Sequence, residues 1–131
     1  MSLLDASSIF EALRTLNLKP LEGSSTLDLA RYEVGSAIWK HGNLLHTLTP
    51  EESKILMEEA SRLFSLLDVV DVSGGEADVL ELAGKLKTTF YDASYLHMAK
   101  EMGVPLVTED TRLAEKAHDL GLETRRLTAL T

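Results

Sequence analysis

Val104-Pro105-Leu106-Val107-Thr108-Glu109-Asp110 is a short apolar run that stops on two acids, and Arg112 to Leu120 then reads as a short helix closed by Gly121. A strand that ends at a carboxylate and leads straight into a helix is the building unit of an α/β fold. The same unit opens the chain. Ser2-Leu3-Leu4 reads as a strand that stops at Asp5, and Ser7 or Ser8 is placed to cap a helix over about residues 8 to 17, with Ile9, Leu13 and Leu16 on one face. If both strands are central and parallel, Asp5 and Asp110 project from one edge of the sheet, where open α/β sheets bind their ligands.

The stretch between these units keeps the alternation. Pro20, Gly23, Ser24 and Ser25 mark a loop, with a brief extended segment expected over Ser25 to Asp28. Leu29, Ala30, Val34, Ala37 and Ile38 follow helical spacing up to about His41. Thr49-Pro50-Glu51-Glu52 combines a capping Thr, Pro at the first helical position and first-turn acids, so a helix is predicted from there to Leu67, carrying Ile55, Leu56, Ala60, Leu63 and Phe64. Asp68 to Ser73 is β-branched and bounded by Gly74-Gly75, which predicts a strand. Helices over Glu76 to Leu86 and Asp92 to Met102 follow, the second capped by Gly103, and Glu123 to Leu127 reads as an edge strand. The expected architecture is one α/β domain over residues 1–131, a three-layer α/β/α arrangement around a mainly parallel sheet of four to five strands.

Composition limits the function classes. The 131 residues are 44% apolar and 26% charged, an ordinary globular mixture, and no apolar run approaches the length of a membrane span. The first residues read as a strand and not as a leader, so a cytoplasmic protein without membrane association is expected. There is no cysteine, which removes disulfides, thiolate metal sites and a Cys nucleophile. Thirteen basic against 21 acidic side chains give a net charge of −8, which argues against a general nucleic-acid binder. Acids that serve as metal ligands would resolve that tension, because bound cations invert the local field. A basic protein partner would also suit the charge.

Four acids carry the chemistry, and each has a simpler reading. Asp5 and Asp110 at strand-to-helix junctions can merely cap helices. Glu33, near the start of a helix, can be a solvated first-turn acid favoured by the helix dipole, although burial of its face would demand a partner, a metal or a proton. Asp92 opens a helix, where an acid stabilises the end in any case. As a set without His or Cys they are hard oxygen donors, suited to Mg2+ or Mn2+ and not to zinc. Metal-bound water is a nucleophile near neutral pH, and paired metals clamp the oxygens of a phosphodiester.

The segments around these acids resemble the PIN domain, in particular the VapC toxins of toxin–antitoxin pairs. They are Leu3-Leu4-Asp5-Ala6-Ser7-Ser8, Tyr32-Glu33-Val34-Gly35-Ser36-Ala37, Thr89-Phe90-Tyr91-Asp92-Ala93-Ser94-Tyr95 and Pro105-Leu106-Val107-Thr108-Glu109-Asp110. Their order and the chain length fit the family, so the resemblance spans essentially the whole chain. It implies that Asp5, Glu33, Asp92 and Asp110 are an acidic quartet that holds Mg2+ or Mn2+ and cuts RNA, with Asp5 and Asp92 on the primary metal. It implies that Glu33 binds directly or through water, and that Asp110 completes the site or supports a second metal. Ser7 and Thr108 would orient the carboxylates, and Glu109 would point off the sheet into solvent. A small basic antitoxin that blocks the acids, and a homodimer, are the implied partners.

Other function classes make different demands. A non-catalytic or RNA-processing PIN module would use the acids as a binding surface. A phospho-receiver domain also gathers acids around Mg2+, but it wants paired acids at the first strand, and only Asp5 stands there. His41, His46, His97 and His118 lack metal-ligand spacing and read as surface or helix-flank residues. Trp39 reads as core or interface packing, and Met98 and Met102 as core. Arg31, Lys87 and Arg112, close in sequence to the acids, are candidates to guide RNA phosphates.

Overall fold

The computed structural model describes residues 1–127, so the C-terminal limit expected at residue 131 lies outside the described residues. Among the described residues, five strands, β1 (Leu3–Leu4), β2 (Ser25–Leu27), β3 (Asp68–Val70), β4 (Leu106–Val107) and β5 (Thr124–Arg125), form one sheet in the order β3-β2-β1-β4-β5. All four pairings are parallel. β1 is central and pairs β4 with Leu3 opposite Leu106 and Leu4 opposite Val107. The chain builds outward from β1 to β3, then returns to the other side of β1 for β4 and β5. The order therefore reverses between β1 and β4, the crevice in which such sheets bind ligands.

Among the described residues, six α-helices cover the two faces: α1 (Ala6–Thr15), α2 (Leu29–Asn43), α3 (Pro50–Leu66), α4 (Glu76–Leu86), α5 (Phe90–Met102) and α6 (Thr111–Asp119). Because side chains alternate along a strand, Leu4 and Val107 enter one core with Ile9, Leu13, Val34, Ile38, Leu63 and Phe64 of α1, α2 and α3. Leu3, Leu27 and Leu106 enter the other, against Tyr95 and Leu96 of α5 and Leu113 and Ala117 of α6. α4 lies outside α5, with Val79 and Ala83 on Ala93. This is the expected three-layer α/β/α arrangement.

Several local expectations are corrected. α1 starts two residues early because Asp5, and neither Ser7 nor Ser8, is its cap, accepting the Ser8 amide at 2.9 Å. Leu16 leaves the buried face: it is the left-handed C-cap (φ 56°) and is exposed. α5 starts at Phe90 with Thr89 as its cap, so Asp92 sits inside the first turn and does not open the helix. The strand expected to reach Ser73 ends at Val70, and the amide of Ser73 turns back to the Asp71 carboxylate. Ile55 lies on the solvent side of α3, and Trp39 is 54% exposed and outside both cores. The capping box of Thr49 with Glu52 and the left-handed Gly103 after α5 form as their sequences predict.

Candidate active site

Asp5 is the buried centre of the crevice, 4% exposed at the carboxyl end of β1. Its carboxylate accepts the Ser8 amide at 2.9 Å, the Thr108 hydroxyl at 2.5 Å, and the Ser7 hydroxyl at 2.8 and 2.9 Å from its two oxygens. The same hydroxyls accept from backbone amides, which can only donate. Ser7 Oγ accepts the Glu109 amide at 2.9 Å and Thr108 Oγ1 accepts the Asp110 amide at 3.0 Å. The two hydroxyls also lie 3.2 Å apart, and an ionised Asp5, which can only accept, draws their protons towards itself. Burial pushes the Asp5 carboxyl above its ordinary range, and the bonds from Thr108, Ser8 and Ser7 partly oppose that rise.

The other three acids come from three different helices. Asp110 caps α6, accepting the Arg112 and Leu113 amides on one carboxylate oxygen at 2.9 and 3.3 Å. Asp92 projects from the first turn of α5, with Thr88 Oγ1 3.5 Å from Oδ2. Glu33, on the first half of α2, accepts the Tyr95 hydroxyl on Oε1 at 2.7 Å. Among the described residues, Asp110 Oδ2, Asp92 Oδ1 and Glu33 Oε2 have no hydrogen-bond donor.

Charge couples these carboxylates in pairs. Burial raises Glu33 first, and the charges of Asp92 and Asp5 raise it further, against the bond from Tyr95. Burial also raises Asp92, and the charge of Asp110 adds to it, while Thr88 and the Arg112 guanidinium oppose. Like charges gathered in a half-buried crevice destabilise the ionised forms. Positive helix ends offset part of that cost, because Asp5, Asp92 and Asp110 all stand at or within the first turn of a helix.

A cleft of about 310 Å3 opens on this site, with Asp92 and Asp110 on its wall beside Lys87, Thr88, Arg112 and Lys116. Lys87 and Arg112 are thus at the acids, as their positions in the chain suggested. Arg31 is not: it pairs with Asp28 at 2.9 Å and lies over the Phe64 ring at 4.9 Å. Glu109 does not point into solvent but turns back beneath the edge strand, 3.9 Å from Arg126 and 3.4 Å from the Leu127 amide. His41 stacks on Phe10 and bonds Thr47, away from the acids.

Sequence reading missed Tyr95, Thr88 and Lys116. Tyr95 is 1% exposed, and burial together with the Glu33 charge raises its hydroxyl far above its ordinary value, so it remains a donor. Its signal was present, since Tyr95 follows Asp92 by three residues, a spacing that shares a helix face.

Hard carboxylate oxygens with free lone pairs suit a divalent cation. Among the described residues no three acidic or histidine side chains converge closely enough to enclose an ion.

Comparison with known proteins places this geometry. The family model of the PIN domain matches residues 3–119. Ribonuclease VapC3 of Pyrobaculum aerophilum is 40% identical over 91 residues, 70% of this chain and 69% of its own. Exonuclease VapC9 of the same organism is 33% identical over 116 residues, 87% of this chain and 84% of its own. Among solved structures, PAE2754 of P. aerophilum superposes with a TM-score of 0.81 at 27% identity, covering 98% of this chain and 92% of its own. FitAB bound to a DNA fragment shares the fold, with a TM-score of 0.63 at 19% identity over 97% of this chain and 95% of the matched one. The chain belongs to the PIN-domain family and is of its VapC type.

Proposed function

We propose that this protein is a Mg2+- or Mn2+-dependent endoribonuclease that acts as the toxin of a type II toxin–antitoxin pair. The observation that carries the reading is the four carboxylates at the sheet reversal, coupled by charge in the pairs Glu33–Asp92, Glu33–Asp5 and Asp92–Asp110, three of them with an oxygen facing no donor among the described residues. Such a set costs stability unless a cation neutralises it. A bound divalent ion supplies an acidified water and a counter-charge for phosphodiester oxygens.

The residues divide the remaining work. Asp5 and Asp92 would hold the primary ion, Glu33 would bind it or support it through water, and Asp110 would complete the site or support a second metal. Ser7 and Thr108 fix the Asp5 carboxylate in one orientation, and Tyr95 does the same for Glu33. Lys87, Arg112 and Lys116 line the adjoining cleft and receive phosphates. One relative is called a ribonuclease, which supports RNA as the substrate, and the other an exonuclease, which supports nuclease chemistry alone. A small basic antitoxin is the proposed partner in the cytoplasm: its cationic side chains would occupy the acids, consistent with the net charge of −8. A homodimer is the proposed assembly.

Incubation of the purified protein with end-labelled and circular RNA, with Mg2+, Mn2+ or EDTA, tests the reading. Cleavage of both RNAs is expected only with metal, and Asp5→Asn or Asp92→Asn should lower it at least roughly 100-fold, the scale of losing a metal ligand or its support. Full activity in these variants overturns the assignment, and cutting of linear RNA alone would make the enzyme an exonuclease.

A further inference from the structure

Arg14, Arg31, Arg62, Arg125 and Arg126 each hold a carboxylate at 2.8 to 3.9 Å. Arg112 is the sixth arginine, and among the described residues it has no ion pair, although Asp92 and Asp110 line the same cleft. Lys116 is singular in another way. Of the seven lysines it alone is half-buried, and the other six are exposed. It too has no carboxylate partner among the described residues, so its ammonium has lost water without gaining a counter-charge. In a chain with 21 acids against 13 bases, cations left unmatched in one cleft are a place kept for an anion from outside.

The cations are ordered along α6. Asp110 caps the helix, Arg112 follows in its first turn and Lys116 lies in its last. Arg112 and Lys116, four residues apart, share a helix face and stand about 6 Å apart along the axis, with Lys116 about 9 Å beyond Asp110. Lys87, the C-cap of α4, lines the same cleft next to Thr88 and Thr89. Glu115 and Asp119 of α6 do not line it. Arg112 works at the acid end, where its charge favours the ionised Asp92. The separation of Lys116 from Asp110 is close to the Debye length at physiological salt, so an anion at Lys116 is largely screened from that carboxylate. One phosphate reaches one end of such a cleft, and two consecutive phosphates of a strand reach both. We propose that Arg112 serves the phosphodiester to be cut, and that Lys116 with Lys87 forms a separate subsite for the neighbouring phosphate on one side of it. The proposal rests on the ribonuclease reading above and gives the substrate a minimum length: the strand must carry a further phosphate beyond the cleaved bond into this cleft.

Kinetics on an RNA whose cut has been mapped, made with one uncharged methylphosphonate at a time on either side of the cut, test it. For the wild type, one position beside the cut should raise KM roughly tenfold, the scale of one charge-assisted bond, with kcat nearly unchanged. The side on which it falls gives the polarity of the strand in the cleft. Lys116→Gln should raise KM as much on the unmodified RNA, and no further on that modified one. Lys87→Gln, an exposed change, should couple to the same phosphate, which keeps the test open if Lys116→Gln melts low. Lys116→Arg should restore KM, and each Gln variant should lower the slope of binding against salt by about one. Arg112→Gln should instead lower kcat roughly 100-fold, whichever flanking phosphate is neutral. If the wild type cuts RNA and both Gln variants match it, or lose equally on every modified RNA, the subsite is overturned and the nuclease reading stands. A wild type that cuts no RNA with Mg2+ or Mn2+ removes both readings.

Discussion

Asp5 is a carboxylate surrounded by donors that a folding chain could have left to water. Thr108 and Ser7 each accept a hydrogen bond from a backbone amide and donate their own O–H to Asp5, so the carboxylate is held in one orientation before any ligand arrives. Thr108→Val keeps the shape and removes the donor. We expect a loss of about 1–3 kcal/mol in urea denaturation. With one opposing bond gone, the Asp5 carboxyl rises further, so the acid limb of the pH–activity profile should move to higher pH. Asp92 tests the opposite sign. Its carboxyl is raised by burial and by Asp110, so the folded chain holds that proton more tightly than the unfolded chain does. The charge therefore costs stability above the raised value, and the cost fades as pH falls to the ordinary carboxylate range. Asp92→Asn should melt higher than wild type at pH 8, by on the order of 0.5 kcal/mol after allowing for partial exposure. The difference should vanish near pH 4, although activity is lost throughout. An equal gain at both pH values would show that the charge is not the cause.

At the scale of the element, four helices deliver the site by their N-terminal halves, and the caps decide where those begin. Asp5 and Asp110 cap α1 and α6 with one carboxylate oxygen each. For Asp110 the other oxygen stays without a donor among the described residues, so the capping reading and the ligand reading of this residue are compatible. α5 is set at its start by Thr89 and at its end by Gly103, which adopts φ 66°. Gly103→Ala puts a Cβ into the left-handed region, and we expect a loss of about 1 kcal/mol in denaturation. Metal-dependent cleavage should fall little, because the acid sits at the far end of the helix. A large loss of activity at matched folded fraction would mean that α5 is not rigid between its two ends.

The whole molecule carries a net charge of −8 and concentrates repelling acids at the reversal of strand order. A cation that binds only the folded crevice must therefore stabilise the fold. At about 100 times its dissociation constant, Mg2+ should add roughly 2.7 kcal/mol. Calorimetric melting with Mg2+ and with EDTA measures this, and Asp5→Asn should abolish the difference. A wild type whose melting is indifferent to Mg2+ would argue against the metal site.

The alternation of strands and helices, the positions of Asp5 and Asp110 at strand ends, and the caps at Thr49 and Gly103 were readable from the chain, because periodicity and capping act over a few residues. The sheet order was not, since pairing joins residues as distant as Leu3 and Leu106. Nor were the burial of Tyr95 against Glu33, the departure of Arg31 to Asp28, or the inward turn of Glu109. Each depends on which side chains meet after the layers close, and no local spacing encodes that. The sequence by itself determined that acids would stand at the ends of elements. Only the tertiary structure decided that Glu33 feels Asp92 and Asp5 and that Asp92 feels Asp110, because those couplings arise when β1, α2, α5 and α6 converge at a single sheet edge.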